Sequence, residues 1–254
     1  MNSLRGWSCF ALVSLSSAGI AADSASAPEI THSPLKEMGS WLGGASALSE
    51  DTVVAGLKAG LATGVDRAMA ELGRPNGFLQ NAAFKVLLPP ELAKAEKTLR
   101  RLKQDQMVDD LIAAMNQAAE QSVGETVPIF KEAINAMSLS DALAILKGPP
   151  DAATSYFRHA SETALRTKML PLVKKATDAN GVGAMYKQVS GQAAPLTSLF
   201  GVKSVDLDAY VCDHALGSLF TVIATQEAAL RANPKAAASK LIERVFSRAN
   251  PPRP

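Results

Sequence analysis

The sequence is poor in the residue types that most often identify a function. It has two cysteines, and aromatic residues make up 5% of the chain. No cysteine pair has metal-binding or redox spacing, no glycine loop runs into Lys-Ser or Lys-Thr, and no serine lies in a nucleophile-elbow pattern. The sequence therefore gives no support to a zinc site, a phosphate-binding loop or a serine hydrolase, and we expect neither cofactor nor metal.

The chain also lacks a strong charge of either sign. Its formal net charge is +2, whereas a nucleic-acid-binding protein usually presents a strongly basic face. The densest basic stretch runs from 94 to 103, but Glu96 lies within it and Glu91 and Asp105 flank it. We interpret that stretch as one solvated helix face and expect no nucleic-acid partner.

The N-terminus has the pattern of a secretory signal peptide. Arg5 precedes a short apolar run at 7–17, and Gly19 and Ala21 have the spacing that a signal peptidase accepts. We expect residues 1–22 to be cleaved and the protein to be exported, to the periplasm. No later stretch approaches 18 consecutive apolar residues, so we expect no transmembrane helix in the mature chain.

The remaining sequence predicts an all-α fold, a compact multi-helix bundle in a single domain. We expect a flexible linker at 23–45, the helical domain at 46–247 and a disordered tail at 248–254, because proline, glycine and small polar residues concentrate in the linker and prolines in the tail. Ser49 should cap a first helix that ends at Gly73. The further predicted helices span 90–102, 106–123, 128–137, 139–147, 151–179, 182–193, 206–231 and 234–247. Pro171 should kink or divide the helix at 151–179.

Three glycines follow one face of the first predicted helix. Gly56, Gly60 and Gly64 are spaced four residues apart, beside an apolar stripe. Glycine inside a helix costs roughly 0.5–1 kcal/mol relative to alanine, so three glycines on one face indicate that close packing compensates for this cost. We expect a neighbouring helix to approach closely along this face.

The segment from Asp206 to His214 holds the densest group of chemically active side chains. On a helix, Asp206, Tyr210 and Asp213 share one face, while Cys212 lies beside the apolar face. The favoured interpretation is structural, with Asp206 or Asp208 capping the helix and Cys212 buried. The alternative is a polar ligand-binding patch of Asp206, Tyr210 and Asp213.

Arg158 is a further weak candidate for ligand binding. It could pair with a buried carboxylate such as Glu120, or it could hold an anionic ligand. The pairing with Glu120 is the favoured interpretation.

Several short motifs occur together in this chain. They are Gly73-Arg74-Pro75-Asn76-Gly77-Phe78-Leu79, Met115-Asn116-Gln117-Ala118-Ala119-Glu120, Pro128-Ile129-Phe130 with Ala133-Ile134, Ala153-Thr154-Ser155-Tyr156-Phe157-Arg158, and the segment from Asp206 through Leu219-Phe220. This combination resembles a bacterial family known as domain of unknown function family 4197, over roughly residues 46–247. The resemblance implies a secreted helical protein without an assigned activity or established catalytic residues.

Two functions remain open at this point. The first is a non-enzymatic binding module for a partner protein or an apolar small ligand, because long amphipathic helices are present without a catalytic set. The alternative is a hydrolase-like enzyme that uses Asp206, Tyr210 and Asp213 as general acid and base. That chemistry requires the carboxylates to line a common cleft.

Overall fold

A computed structural model describes residues 48–138, 140, 142–197 and 205–249, without the side chains of 192–197 and 249. The expected signal peptide and linker, and residues 250–254 of the expected tail, lie outside the described residues, whereas residues 248 and 249 belong to the last described helix. Within them the fold is all-α, as predicted, and contains no strand. The helices are α1 Glu50–Leu72, α2 Ala93–Arg101, α3 Asp105–Ala136, α4 Ala142–Lys147, α5 Ala152–Ala179, α6 Val182–Thr197, α7 Leu207–Ala232 and α8 Lys240–Ala249. They form a bundle in which α1, α3, α5 and α7 share the most extensive contacts.

The first helix begins and ends where the sequence predicts. The Ser49 side chain accepts a hydrogen bond from the Thr52 N–H group, and Gly73 is the residue at which α1 ends. The following turn needs a left-handed backbone at Asn76, where φ is 62°. Asparagine tolerates this conformation better than most residues, which explains its place in the turn.

The prediction of separate helices at 106–123 and 128–137 was wrong, because α3 is a single helix of 32 residues with Pro128 inside it. Proline within a helix costs about 3 kcal/mol and removes one backbone hydrogen bond. Val123 and Phe130, on either side of it, are fully buried. Packing along the whole length of α3 therefore outweighs the local cost. Pro171 likewise does not divide α5.

The glycine face of α1 packs closely against two other helices, as expected. A Cβ atom at Gly56 would lie 2.4 Å from Val245, and one at Gly60 would lie 2.9 Å from Phe246, both on α8. At Gly64 the nearest atom would belong to Ile223 on α7, at 3.2 Å. The small residues of α1 therefore set how closely α7 and α8 approach it.

Three phenylalanine rings join the central helices. Phe130 of α3, Phe157 of α5 and Phe220 of α7 are each at most 2% exposed. Their ring centroids lie 5.8 to 6.1 Å apart in tilted or edge-to-face arrangements. Aromatic pairs in such geometries contribute about 0.5–1.5 kcal/mol beyond their buried area. This trio fixes the relative positions of α3, α5 and α7.

Helix α7 is the one described helix that is long and apolar enough to cross a membrane, judged by length and composition alone. Within its most apolar window, 56% of the residues are buried against the rest of the protein. A core helix of a bundle has the same properties, so this finding is weak evidence for a membrane span.

Candidate functional site

The start of α7 is where the sequence placed its first site candidates, and the structure gives Asp206 a capping role. Its side chain accepts a hydrogen bond of 2.9 Å from the Ala209 N–H group, as a helix cap requires. Asp208 lies half-buried and accepts hydrogen bonds from the Thr177 hydroxyl and from Lys174. Both acids stabilise the positively polarised end of α7.

Asp213 is engaged in an ion pair on the protein surface. Its two carboxylate oxygens accept hydrogen bonds from Nε and Nη2 of Arg166 on α5, at 2.5 and 3.2 Å. The two side chains remain 55% and 40% exposed. Exposed ion pairs typically contribute about 0.2–1 kcal/mol to the free energy of unfolding. The Asp213–Arg166 pair therefore links α7 to α5 but stabilises the fold only slightly.

Tyr210 is half-buried and packs against the hydrophobic core. Its ring lies 6.2 Å from the imidazole of His214. Burial, with a smaller contribution from Glu91, raises the pKa of the Tyr210 phenol. Burial also lowers the pKa of His214, while a hydrogen bond with the backbone of Phe84 partly opposes this shift. His214 thus contacts the backbone of Phe84, whereas the pKa of Tyr210 is affected only by its own burial and by the charge of Glu91.

The three residues of the predicted patch therefore have three separate roles. Asp206 and Asp208 border a cleft of about 330 Å³ with Lys174, but neither Tyr210 nor Asp213 lines it. Cys212 is fully buried, as expected, and burial raises the pKa of its thiol to about 11. Among the described residues, no group of three or more His, Cys, Asp or Glu side chains could hold a metal ion.

The predicted pairing of Arg158 with Glu120 was wrong. Arg158 instead bonds to Glu162, one turn further along α5, and its guanidinium lies 5.4 Å above the ring of Phe220. Both members of this pair are exposed side chains.

The Glu120 carboxylate binds backbone groups of the turn after α1. It accepts hydrogen bonds from the N–H groups of Asn76, Phe78 and Leu79 at 3.1, 3.1 and 3.3 Å. One helical turn earlier, the Asn116 amide bonds to both the N–H and the C=O group of Val86. Two side chains of α3 thus fix the segment between α1 and α2.

A buried ion pair on α7 joins two helix ends, and sequence reasoning missed it. Glu227 accepts hydrogen bonds from the Ala153 and Thr154 N–H groups at the start of α5. Arg231 donates to Glu227 and to the carbonyl groups of Ile145 and Leu146 at the end of α4. A carboxylate therefore meets the positive end of one helix, and a guanidinium meets the negative end of the other.

A mainly apolar concave surface lies between α3 and α5. The two helices run antiparallel, since Glu132 pairs with Lys168 and Glu125 with Lys175. Small residues on the facing surfaces leave an open cleft of about 490 Å³; they are Ala133, Ala136, Ala160 and Ala164. We call this space the alanine cleft.

The walls of the alanine cleft combine apolar side chains with several polar groups that bond to one another or to the backbone. The Tyr156 hydroxyl donates a hydrogen bond of 2.5 Å to the carbonyl of Ser138. The Ser161 hydroxyl donates to the carbonyl of Phe157 at 2.6 Å, and both oxygens of Glu132 lie 2.9 Å from Lys168. What the cleft offers to a ligand is therefore mainly apolar surface.

The sequence was also compared with known proteins. The model of the family described as "Protein of unknown function (DUF4197)" matches residues 47–247. Searches of the curated proteins and of the solved structures returned no match. The family match covers most of the chain and confirms the resemblance carried by the motifs of α3, α5 and α7. The chain belongs to the DUF4197 family.

Proposed function

We propose that the protein is a non-enzymatic binding protein whose alanine cleft holds a small apolar molecule, such as an acyl chain. The observation that carries this proposal is the combination of an open space of about 490 Å³ with walls on which the Tyr156 and Ser161 hydroxyls and the Glu132–Lys168 pair bond within the protein. Ligand clefts commonly have about 300–1,000 Å³ and are mostly apolar.

The enzyme alternative lacks the geometry that it requires. General acid–base catalysis needs groups that converge on one substrate, and Asp206, Tyr210 and Asp213 have separate partners. A partner protein remains a different class of occupant. It would cover exposed surface beyond the cleft, whereas a small apolar ligand would bind within the cleft.

A chain-length series of neutral n-alkyl alcohols tests the proposal in solution. Each buried methylene contributes about 0.8 kcal/mol, so the Kd should fall about fourfold per added carbon until the cleft is filled. Neutral head groups remove any contribution from charge. Saturable binding with this dependence supports the proposal, and the absence of saturable binding along the whole series contradicts it.

Two matched variants locate the binding. Ala164 and Ala179 are both exposed on α5, and only Ala164 lines the cleft. Ala164→Phe should fill the space and abolish alcohol binding, whereas Ala179→Phe should leave it unchanged. Equal binding by both variants would place the alcohol elsewhere and refute the proposal.

Export is a separate part of the proposed function. It rests on the signal-peptide pattern of residues 1–22 and on nothing in the described fold. N-terminal sequencing of protein recovered from the periplasmic fraction should begin after Ala21 or Ala22. A chain that starts at Met1 in the cytoplasmic fraction would contradict export.

A further inference from the structure

A second cleft, of about 420 Å³, lies between α5 and α7 and differs from the first in its chemistry. Hydroxyl groups and two opposite charges line much of it, among them Asp151, Ser155, Arg158, Thr221 and Thr225. We call it the hydroxyl cleft. It has room for about a dozen non-hydrogen atoms at roughly 30 Å³ each, the volume share of a water molecule.

Arg158 is a cation held in a fixed orientation at one end of this cleft. Its guanidinium lies 5.4 Å above the Phe220 ring, which also lines the cleft. Its hydrogen bonds within the described residues use Nε and Nη2, and both go to one oxygen of Glu162, at 3.0 and 2.8 Å. Arg158 therefore already binds one carboxylate and has a further N–H edge for another.

The hydroxyl groups along the cleft present acceptors to a ligand. Ser155 donates its proton to Asp151 at 3.1 Å, and Thr221 and Thr225 each donate to a backbone carbonyl four residues earlier at 2.9 Å. Each hydroxyl has a single proton, so its oxygen is left with lone pairs only. A ligand that fits these groups carries hydrogen-bond donors between its ends.

Asp151 supplies a negative charge at the other end of the cleft. It precedes the first residue of α5, seven positions before Arg158. At ~1.5 Å per residue this separation is about 10 Å along the helix. An extended chain of three amino acids covers about the same distance, at ~3.3–3.6 Å per residue.

We propose that the hydroxyl cleft binds a short zwitterionic peptide of about three residues. Its carboxylate lies on Arg158, its ammonium group faces Asp151, and its N–H groups donate to the hydroxyl oxygens between them. This site is separate from the alanine cleft and does not depend on the function proposed for it.

Calorimetric titration with triglycine and its two capped forms tests this assignment from the ligand side. A hydrogen bond to a charged group is worth about 1.5–3 kcal/mol, so C-terminal amidation should weaken binding by about tenfold or more. N-terminal acetylation should weaken it measurably as well. Equal affinity for triglycine and either capped form would overturn the proposal.

Protein variants test the same contacts without disturbing the core. Arg158→Met retains a side chain over Phe220 and should lose binding by about tenfold or more, in line with a lost charged hydrogen bond. Glu162→Gln removes the competing carboxylate and should tighten binding. Asp151→Asn keeps a residue suited to the helix start and should weaken binding. Wild-type affinity in Arg158→Met, or no saturable binding even in Glu162→Gln, would refute the site.

Discussion

Loss of either member of the Glu227–Arg231 pair should destabilise the fold far more than loss of an exposed pair with the same spacing. The Glu227 side chain is 5% exposed and the Arg231 side chain is 8% exposed, and Nη2 of Arg231 lies 2.6 Å from Oε1 of Glu227. Together they bind Ala153 and Thr154 at the start of α5 and the carbonyls of Ile145 and Leu146. A single substitution therefore leaves the other charge buried and removes part of a helix cap.

The magnitude follows from the cost of that stranded charge. Breaking a buried pair typically costs about 3–5 kcal/mol, so Glu227→Gln and Arg231→Met should each lower the free energy of unfolding by about that amount. At ~2–4 °C per kcal/mol for a domain of this size, the Tm should fall by roughly 6–20 °C. The double variant should lose less free energy of unfolding than the two single variants together, because it leaves no buried charge without a partner.

Urea unfolding of the four proteins in this double-mutant cycle gives the coupling energy. Arg158 and Glu162 provide the matched control, since they are also four residues apart but are 49% and 41% exposed. Their coupling should stay at about 0.2–1 kcal/mol. A coupling at Glu227–Arg231 no larger than that of the control pair would show that burial does not strengthen this ion pair.

Three further predictions concern packing and titration. Gly56→Ala should destabilise the protein, because the added Cβ would lie 2.4 Å from Val245. Gly217→Ala should stabilise it by about 0.5–1 kcal/mol, because the Cβ added there would meet no atom within 4 Å. If urea unfolding gave the reverse order of stability, it would contradict the close packing of α1 and α8. The Cys212 thiol is fully buried, and its pKa is raised to about 11. It should therefore resist alkylation at pH 8 in the native protein and react in urea, which peptide mass mapping can follow. Rapid alkylation of the native protein would contradict its burial. Burial lowers the pKa of His214, so the unfolded chain binds a proton more readily than the folded protein, and stability should fall as the pH drops below about 6.5. Replacement of His214 with asparagine should flatten that dependence of the unfolding midpoint on pH, and an unchanged slope would exclude this origin.

Local sequence signals predicted the features of the fold that depend on neighbouring residues. Ser49 and Asp206 cap their helices through backbone groups three residues away, and such contacts can be read from the sequence. The glycine spacing on α1 predicted close packing, because the cost of glycine in a helix needs a compensating contact. The sequence did not reveal which helices make that contact.

The missed interactions join residues that are far apart in the chain. Glu120 bonds to residues 41 to 44 positions away, and Glu227 bonds to residues 73 and 74 positions away. Nothing in the local pattern distinguishes these acids from exposed ones, so Glu120 was assigned the wrong partner. The continuity of α3 through Pro128 was missed for the same reason, since long-range packing decides it.

The candidate site likewise combines a local feature that the sequence predicts with long-range contacts that it does not. The helical face shared by Asp206, Tyr210 and Asp213 follows from spacing alone, but whether three side chains bind a common ligand depends on what surrounds them. Arg166 pairs with Asp213, and Tyr210 packs against the hydrophobic core. The alanine cleft could not be predicted, because the alanines of α3 and α5 form a cleft only when those two helices are adjacent.

If the alanine cleft holds an apolar ligand, the position of a bromine atom on that ligand will show it. A crystal of the protein soaked with an ω-bromo n-alkyl alcohol should show anomalous bromine density between α3 and α5, beside Ala164 and Leu165. The same soak of the Ala164→Phe variant should show none there. Bromine density at another surface of the wild-type protein, with the alanine cleft empty, would show that the cleft is not the binding site.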